Sequence, residues 1–232
     1  VCRNWKPILS SGIATGRAMK AKSAQGGDPR NHREAMATDE SEWRPAEESE
    51  ISNHVSNGSW TEIDFSEVPP DRRRLVRMTW AYKTKRSGKK KARLCVQGCS
   101  QVAGVDYDQT FCATMRSSTL RILCAVSAKW RLRMRRWDFV AAYLQGNLEE
   151  GEVVYCSLPP GYEHRMEDGK SVPNVGADGR ARVLRIEKPV YGMAQAGRRW
   201  QRTLFPWLLK QGFTQHTSDE CVFSIQRETD GK

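Results

Sequence analysis

The stretch that decides the fold runs from residue 117 to residue 162 and reads SSTLRILCAVSAKWRLRMRRWDFVAAYLQGNLEEGEVVYCSLPPGY. Its apolar residues first recur at helical spacing, which predicts a helix over residues 117–130 that Ser117 or Ser118 can cap. Residues 131–139 then alternate between apolar and basic side chains, which predicts a strand. A change of period within one stretch therefore predicts a helix followed by a strand that carries a carboxylate, Asp138, near its end.

Further strands are predicted on both sides of this stretch, over residues 60–65, 75–85, 91–97, 153–157 and 181–187. The second and third of these form a long basic hairpin around Gly88. Residues 161–179 are rich in Gly and Asp and predict a long surface loop. Together the elements predict an α+β fold in which antiparallel strands carry helices packed on one face.

Two more helices are predicted near the ends of the folded part. An acidic helix lies between Asp39 and His54, with Pro45 in its first turn. The last helix covers residues 196–211 and ends at Gly212, and Pro206 is expected to kink it or end it early.

The composition predicts a soluble protein with one large domain. The chain has 232 residues, of which 38% are hydrophobic, and it lacks the run of roughly 18 apolar residues that spans a bilayer. Residues 1–30 show no apolar periodicity and predict a flexible lead-in, and residues 31–232 form the domain. Scattered cysteines and histidines predict free thiols and no zinc site. The expected location is intracellular, in the cytoplasm, with nuclear entry left open.

Charge divides the chain into an acidic and a basic section. Residues 34–67 hold ten acids, whereas residues 71–93 hold eleven Lys or Arg against one Asp. A concentrated basic section indicates a polyanion partner, most simply nucleic acid. A solvated basic loop without a partner, or a nuclear import signal in RSGKKKAR, would leave the same pattern.

Three places could carry chemistry. Asp138 could hold a divalent cation against a triphosphate, or it could cap a short helix over residues 141–144. The hairpin lysines could pair with phosphates, although Lys90 stands where a P-loop needs Ser or Thr. Gln195 and Gly197 open a helix whose backbone N–H groups could meet an anion, or they form an ordinary strand-to-helix turn.

Five ordered segments resemble the reverse transcriptase domain of copia-type retrotransposons. They are DESEWRPAEESEISNHVSNGSWTEID, WAYKTKRSGKKKARLCVQGCSQVAGVDYDQTF, residues 117–162, KPVYGMAQAGRRW and GFTQHTSDECVFS. The resemblance runs from about His32 to Ser224. It implies reverse-transcriptase fingers and a partial palm, which would bind an RNA template, a DNA primer and a dNTP without any membrane.

The resemblance also implies roles for particular residues. Asp138 would be the first metal-binding and catalytic aspartate, and the carbonyl of Phe139 would bind the same Mg²⁺ ion. Tyr143 would lie under the nucleotide sugar, and Gln195 would lie near the sugar and the template base. Lys91 and Arg93 would face the triphosphate. The remaining hairpin cations would bind nucleic acid: Lys83, Lys85, Arg86, Lys89 and Lys90.

Departures from the family pattern imply that the isolated chain is inactive. No adjacent Asp-Asp pair occurs in the sequence, and a single carboxylate holds two Mg²⁺ ions poorly. Cys99, residues 112–114 and Gly197 also differ from the usual family residues. The leading hypothesis is a truncated RNA-directed DNA polymerase domain. The alternatives are a non-enzymatic nucleic-acid-binding fragment and an unrelated basic interaction module in which Asp138 is only a cap.

Overall fold

A computed structural model of the chain describes residues 27–165 and 171–226. Most of the predicted lead-in, residues 1–30, lies outside the described residues. The described part combines helices with antiparallel strands, so the predicted α+β class is confirmed. None of its helices is long and apolar enough to cross a membrane.

Three helices and nine strands are assigned in the described residues. The helices are α1 (His32–Ser56), α2 (Ser117–Lys129) and α3 (Ala196–Lys210). The strands are β1 (Trp60–Ile63), β2 (Met78–Thr84), β3 (Lys90–Val96), β4 (Val154–Ser157), β5 (His164–Arg165), β6 (Ser171–Val172), β7 (Val183–Ile186), β8 (Thr214–Gln215) and β9 (Phe223–Ser224). Short 3₁₀ turns connect several of these elements.

Helix α1 begins earlier than the sequence predicts and changes direction at Asp39. The backbone of Asp39 is extended, with φ −163° and ψ 82°, and its carboxylate accepts hydrogen bonds from the Ser41 hydroxyl and the Glu42 N–H. Asp39 therefore caps the second part of the helix, because it satisfies an N–H group that has no partner within the helix. Pro45 lies beyond the first turn of this part, so its predicted position is wrong.

A three-stranded antiparallel sheet has the order β1-β7-β4. All three strands were predicted, and the central strand β7 buries Val183, Leu184 and Ile186. The loop predicted over residues 161–179 is more regular than expected, because β5 pairs with β6 inside it.

The β2–β3 hairpin is also confirmed and supplies much of the hydrophobic core. Its buried side chains alternate along both strands, and they are Met78, Trp80, Tyr82, Ala92, Leu94 and Val96. Trp43 of α1 packs edge-on against Tyr82, with ring centroids 5.2 Å apart. The carboxylate of Glu50, also on α1, accepts a hydrogen bond from the Leu94 N–H. Helix α1 therefore covers the outer edge of β3, which would otherwise present unpaired backbone groups.

Two glycines join the hairpin to the segment that precedes α3. The Val96 N–H donates to the Tyr191 carbonyl at 2.8 Å, and the Gly98 N–H donates to the Gly192 carbonyl at 3.2 Å. A Cβ on Gly192 would lie 2.1 Å from the Val96 oxygen, and φ at Gly192 is 89°. Only glycine permits this approach with this backbone conformation, and the contact fixes Tyr191 beside the hairpin.

The predicted strand over residues 131–139 is wrong. No strand is assigned there, and the backbone groups of residues 133–136 make no hydrogen bond to other backbone groups of the described chain. Alternation of side chains is not sufficient for a strand, because a strand also needs a neighbouring backbone with which to pair.

The predicted helix before that segment is confirmed as α2, but neither Ser117 nor Ser118 caps it. Its N-cap is Arg116, which makes no side-chain capping bond. The carboxylate of Asp219, distant in sequence, accepts a hydrogen bond from the Arg116 N–H at 2.9 Å instead.

Helix α3 is anchored by a buried ion pair near its N-terminus. Arg199 is 2% exposed and donates to both carboxylate oxygens of Glu152, which precedes β4. Glu149 is a further carboxylate partner of this guanidinium. The helix continues past Pro206 to Lys210, so the expected early end is wrong.

Candidate active site

The solvent face of the β2–β3 hairpin presents unpaired positive charge. Lys83 lies opposite Lys91 in the strand register, and both side chains are exposed together with Arg93. This face follows from the two-residue alternation of the strands, since the opposite face is committed to the core. None of these three cations forms an ion pair with a described acidic residue.

A chain of stacked side chains links the hairpin to the region of Asp138. The Arg93 guanidinium carbon lies 4.7 Å from the Tyr191 ring centroid, and the Tyr191 and Tyr143 rings lie 4.8 Å apart at 56°. A guanidinium over an aromatic face is attracted by the negative charge of the ring face. Tyr191 therefore contacts both Arg93 and Tyr143, which are predicted site residues.

Asp138 is exposed. Burial lowers the pKa of Lys91 and raises that of Tyr191, and the negative charge of Asp138 slightly opposes the first shift and slightly adds to the second. Asp138 does not cap the turn that follows, because the 3₁₀ turn over Ala142–Gln145 has Ala141 as its N-cap and no side-chain capping bond. The interpretation of Asp138 as a helix cap is therefore wrong.

Phe139, the neighbour of Asp138, is held in place by α3. Its ring packs edge-on against Trp200 with centroids 4.9 Å apart. This contact joins the end of the segment that follows α2 to helix α3, directly beside Asp138 in the chain.

Lys91 is the cation that the surroundings disturb most clearly. Burial lowers its pKa, and the positive charges of Arg93 and Lys85 lower it further. Glu50 and Asp138 act in the opposite direction without cancelling these effects. A bound polyanion would add negative charge and favour the protonated form of Lys91.

A cavity of about 630 Å³ lies between α1 and the hairpin. Four lysines, Lys85, Lys89, Lys90 and Lys91, line it together with Val140 and the carboxylates of Glu42 and Glu50. The Lys90 ammonium lies 4.9 Å from the Trp43 ring centroid and donates to the Thr84 hydroxyl at 3.2 Å. Lys90 is therefore directed toward α1, whereas Lys83, Lys85, Arg86 and Lys89 are exposed.

Gln195 is placed away from this surface. Its side chain is fully buried, where its amide nitrogen donates to the Asp106 carbonyl and its oxygen accepts from Gln101. Gln101 in turn accepts from the Ala194 N–H at 2.8 Å. In this arrangement Gln195 supports the loop before α3, and its predicted role near the nucleotide stays a prediction.

Tyr191 is the site residue that the sequence reasoning missed. The segment KPVYGMAQAGRRW drew attention to Gln195 and Gly197, but the aromatic residue directly before Gly192 makes the contacts. The available signal was an aromatic residue directly before a glycine. Because that glycine packs closely against β3, it fixes the position of the aromatic side chain beside it.

The described residues do not assemble a site for two Mg²⁺ ions. They contain no group of three or more His, Cys, Asp or Glu side chains placed to hold a metal. Each Mg²⁺ ion in a nucleotide site uses one or two carboxylates together with phosphates and water. Asp138 would have to supply its single carboxylate to two ions. The donor set of the described chain therefore does not fit the two ions that the resemblance implies.

The described chain combines an α+β fold with an exposed basic face on the hairpin, and comparison with known proteins gives the family. Residues 59–231 match the model of the reverse transcriptase family, described as RNA-dependent DNA polymerase. The chain belongs to the reverse transcriptase family, and the relatives below place it among the copia-type retrotransposons.

Two relatives are retrovirus-related Pol polyproteins of Arabidopsis thaliana. The one from transposon RE2 is 33% identical over 209 residues, which cover 88% of this chain and 13% of the polyprotein. The one from transposon RE1 is 32% identical over 197 residues, covering 83% of this chain and 12% of that polyprotein. A third, from transposon TNT 1-94 of Nicotiana tabacum, is 27% identical over 77% of this chain and 12% of its own length. No solved structure matches the chain.

Proposed function

We propose that this domain serves RNA-directed DNA synthesis and that its nucleotide site lies between the hairpin and Asp138. The observation that supports the proposal is the contact of Tyr191 with both Arg93 of the hairpin and Tyr143, which follows Asp138 by five residues in the chain. The chain spans about an eighth of the length of its curated relatives. Polymerase activity is therefore proposed for this chain and is not carried over from those relatives.

The chemistry of the surface suits a nucleoside triphosphate. Lys91 and Arg93 would face the triphosphate, where charge-assisted hydrogen bonds to phosphate oxygens are strong. Tyr143 would present its ring to the sugar, since Tyr191 supports it from behind. Bound phosphates would also stabilise the protonated form of Lys91, whose pKa is lowered in the free protein.

Asp138 is proposed as the first metal ligand, with the carbonyl of Phe139 beside it. The described chain supplies a single carboxylate at this place and does not fit two Mg²⁺ ions, and for that reason we expect the isolated chain to be catalytically inactive.

The test separates binding from catalysis on the same protein. Fluorescence anisotropy would measure binding to an oligo(dT) primer annealed to poly(rA), with dTTP added in a second titration. Primer extension with Mg²⁺ would be run in parallel. We expect binding that weakens in Lys91→Gln and Arg93→Gln, unchanged binding in the distant control Arg185→Gln, and no extension.

The binding measurement and the extension measurement can each contradict the proposal. Extension that is lost in Asp138→Ala would overturn the expected inactivity and show that a metal site forms. Absence of any effect of dTTP, or equal loss in Arg185→Gln, would contradict the placement of the nucleotide site.

A second candidate function is binding of nucleic acid without catalysis. It is favoured by the exposed face of Lys83, Lys91 and Arg93, which would bind backbone phosphates with little sequence preference. Such binding weakens steeply with salt, because each neutralised phosphate releases counterions. Salt-sensitive binding of single strands without any response to dTTP would support this function over the first.

A further inference from the structure

The turn of the β2–β3 hairpin, residues 85–89, here named the hairpin tip, stands clear of the core. All five of its residues are exposed. The last strand pair is Thr84 with Lys90. Beyond that pair the Lys85 N–H donates to the Lys89 carbonyl and the Gly88 N–H donates to the Lys85 carbonyl, both at 2.9 Å. The tip can therefore open by breaking these two bonds, without exposing a buried side chain or changing the strand register.

Ser87 places a hydroxyl group at the hairpin tip. Its side chain is exposed, and within residues 27–165 and 171–226 its oxygen has no hydrogen-bond partner. The hydroxyl of Thr84 differs, because it accepts a hydrogen bond from the Lys90 ammonium at 3.2 Å and is half-buried. Of the two hydroxyl groups at this end of the hairpin, that of Ser87 is therefore the one that an enzyme can reach.

Positive charge flanks Ser87 on both sides in the sequence. No acidic residue lies between Asp71 and Asp106. Asp28 supplies a counter-charge at the base of the tip, where its carboxylate accepts a hydrogen bond from the Thr84 N–H at 2.6 Å. The cations closest to Ser87 in the sequence form no ion pair with a described carboxylate, and they are Lys83, Lys85, Arg86 and Lys89. An enzyme that recognises this hydroxyl therefore has to offer acidic groups on both sides of it, as kinases do when they select substrates by charge pattern.

We propose that Ser87 is a phosphorylation site for a serine/threonine kinase that selects basic sequences, and that phosphate on Ser87 weakens the binding of polyanions to the hairpin. In the reaction the Ser87 oxygen attacks the γ-phosphorus of ATP, and the bond from this phosphorus to the bridging oxygen breaks. ADP leaves with that oxygen, and the hydroxyl proton passes to a base of the kinase. The modification goes beyond the proposed polymerase function, because it requires neither a template nor a nucleotide site in this chain.

Phosphate at the hairpin tip would change the charge that the hairpin offers to a partner. Phosphoserine carries about −1.5 to −2 charges at pH 7 and presents three acceptor oxygens. Lys85, Arg86 and Lys89 lie within two residues of Ser87, and their donors would form charge-assisted hydrogen bonds with the phosphate. Cations that are paired in this way are lost to a bound polyanion. The consequence for nucleic acid rests on the proposed function, whereas the modification itself does not.

The modification is tested on the full chain with two kinases, protein kinase C, which selects basic sequences, and casein kinase 2, which selects acidic ones. Intact mass counts the phosphoryl groups, and tandem mass spectrometry locates them. We expect protein kinase C to phosphorylate Ser87, and Ser87→Ala to lose this phosphate. Ser118→Ala removes another exposed serine, two residues after Arg116, and should keep it.

A synthetic peptide with the sequence of residues 83–91 is the positive control for the kinase. Phosphorylation of this peptide but not of Ser87 in the folded chain would overturn the proposal, because it would mean that the hairpin withholds the hydroxyl. Phosphorylation of Ser87 by casein kinase 2 alone would also overturn it, because the surrounding cations would then play no part in recognition.

The effect on binding is measured on protein that carries phosphate on Ser87. Elution from heparin by salt reports the binding of a polyanion that needs no nucleotide site, and fluorescence anisotropy reports the binding of the primed poly(rA) template. We expect elution at lower salt, and a slope of log K against log salt that is smaller by about 1.5, from roughly 0.7–0.9 for each of two lost contacts. Kinase-treated Ser87→Ala should behave like untreated wild type. Unchanged elution and slope after phosphorylation of Ser87 would overturn the proposal.

These outcomes separate the phosphorylation site from the proposed function. Untreated protein that fails to bind the primed template, while phosphate on Ser87 still shifts elution from heparin, contradicts the proposed function and supports the phosphorylation site. Template binding that weakens in Lys91→Gln and Arg93→Gln, but is unchanged by phosphate on Ser87, supports the nucleotide site and contradicts this inference.

Discussion

The β2–β3 hairpin and the segment from residue 117 to residue 140 both reach the candidate active site, but only the hairpin is built into the core. The hairpin buries one complete face, including Trp80, Tyr82 and Leu94. Helix α2 has no buried residue, and the segment after it has no strand partner in the described chain. The difference teaches that the hairpin combines core packing with a cationic outer face, whereas the second region contributes little to the core, so that changes in the second region should have little effect on folding.

The sharpest test replaces by alanine one tryptophan that packs on the hairpin and one that lies in the second region. Trp43 is 1% exposed, and Trp43→Ala should reduce the free energy of unfolding by about 3–5 kcal/mol. Trp130 is 64% exposed, and Trp130→Ala should change the free energy of unfolding by less than about 0.5 kcal/mol. Urea unfolding followed by circular dichroism measures both. Equal losses would mean that the segment after α2 is packed as tightly as the hairpin.

The glycine junction gives the next largest effect. At Gly192 a Cβ would meet the Val96 carbonyl oxygen at 2.1 Å, so Gly192→Ala combines a left-handed backbone conformation with a clash, and should cost about 3 kcal/mol or more. Gly179 also has a positive φ, of 72°, but open space around it. Gly179→Ala should therefore cost only about 1 kcal/mol, and the difference between the two midpoints of urea unfolding isolates the clash.

Gly192→Ala should also disturb the site, because Tyr191 is its neighbour. Loss of the Arg93–Tyr191 contact would weaken dTTP binding at temperatures where the variant is still folded. Unchanged binding in a folded Gly192→Ala protein would show that the stack does not depend on the junction.

Asp219 tests how α2 is tied to the rest of the chain. The Arg116 N–H and the Thr119 hydroxyl donate to its carboxylate, and these bonds lower the pKa of Asp219. A carboxylate whose pKa is lowered by folding stabilises the fold above its unfolded value of about 3.9, and this contribution is lost as the pH falls through the folded pKa.

We therefore expect Asp219→Ala to lower Tm at pH 7, and the difference from wild type to shrink in acid. The exposed neighbour variant Glu220→Ala should melt like wild type at both pH values. A Tm difference that persists unchanged below the folded pKa would mean that Asp219 acts through packing and not through its charge.

The sequence predicted the elements whose side-chain pattern can be recognised locally, either as alternation between core and solvent or as apolar residues at helical spacing. The hairpin follows from alternation on both strands and from Gly88, whose φ is 80°, and α2 follows from its apolar spacing. The strand predicted over residues 131–139 was wrong, because alternation of side chains does not show whether a neighbouring backbone is available for pairing. The cap of α2 was missed for a related reason, since Asp219 is brought to Arg116 by tertiary structure.

The candidate site residues also differ in how far the sequence could predict their surroundings. Arg93, Lys91, Tyr143 and Asp138 were predicted from the resemblance, and their roles at a common site stay predictions. Tyr191 contacts both Arg93 and Tyr143. The amide of Gln195 bonds to Gln101 and to the Asp106 carbonyl inside the protein, and its predicted role near the nucleotide also stays a prediction. A sequence motif gives the order of residues along a segment, whereas burial decides which side of that segment faces a ligand.

The smallest expected effect concerns the backbone just after α2. Arg131 follows the C-cap residue Trp130 and has φ 52°, and the bonds from Arg131 and Leu132 to the last turn form the pattern in which glycine is usual. Arg131→Gly should therefore raise the free energy of unfolding by about 0.5–1 kcal/mol, because glycine adopts this conformation without steric cost. Arg133→Gly removes the same charge at a position whose φ is not positive and should bring no gain. If both variants are stabilised equally, charge repulsion among the arginines of residues 131–136, and not backbone strain, limits the stability of this region.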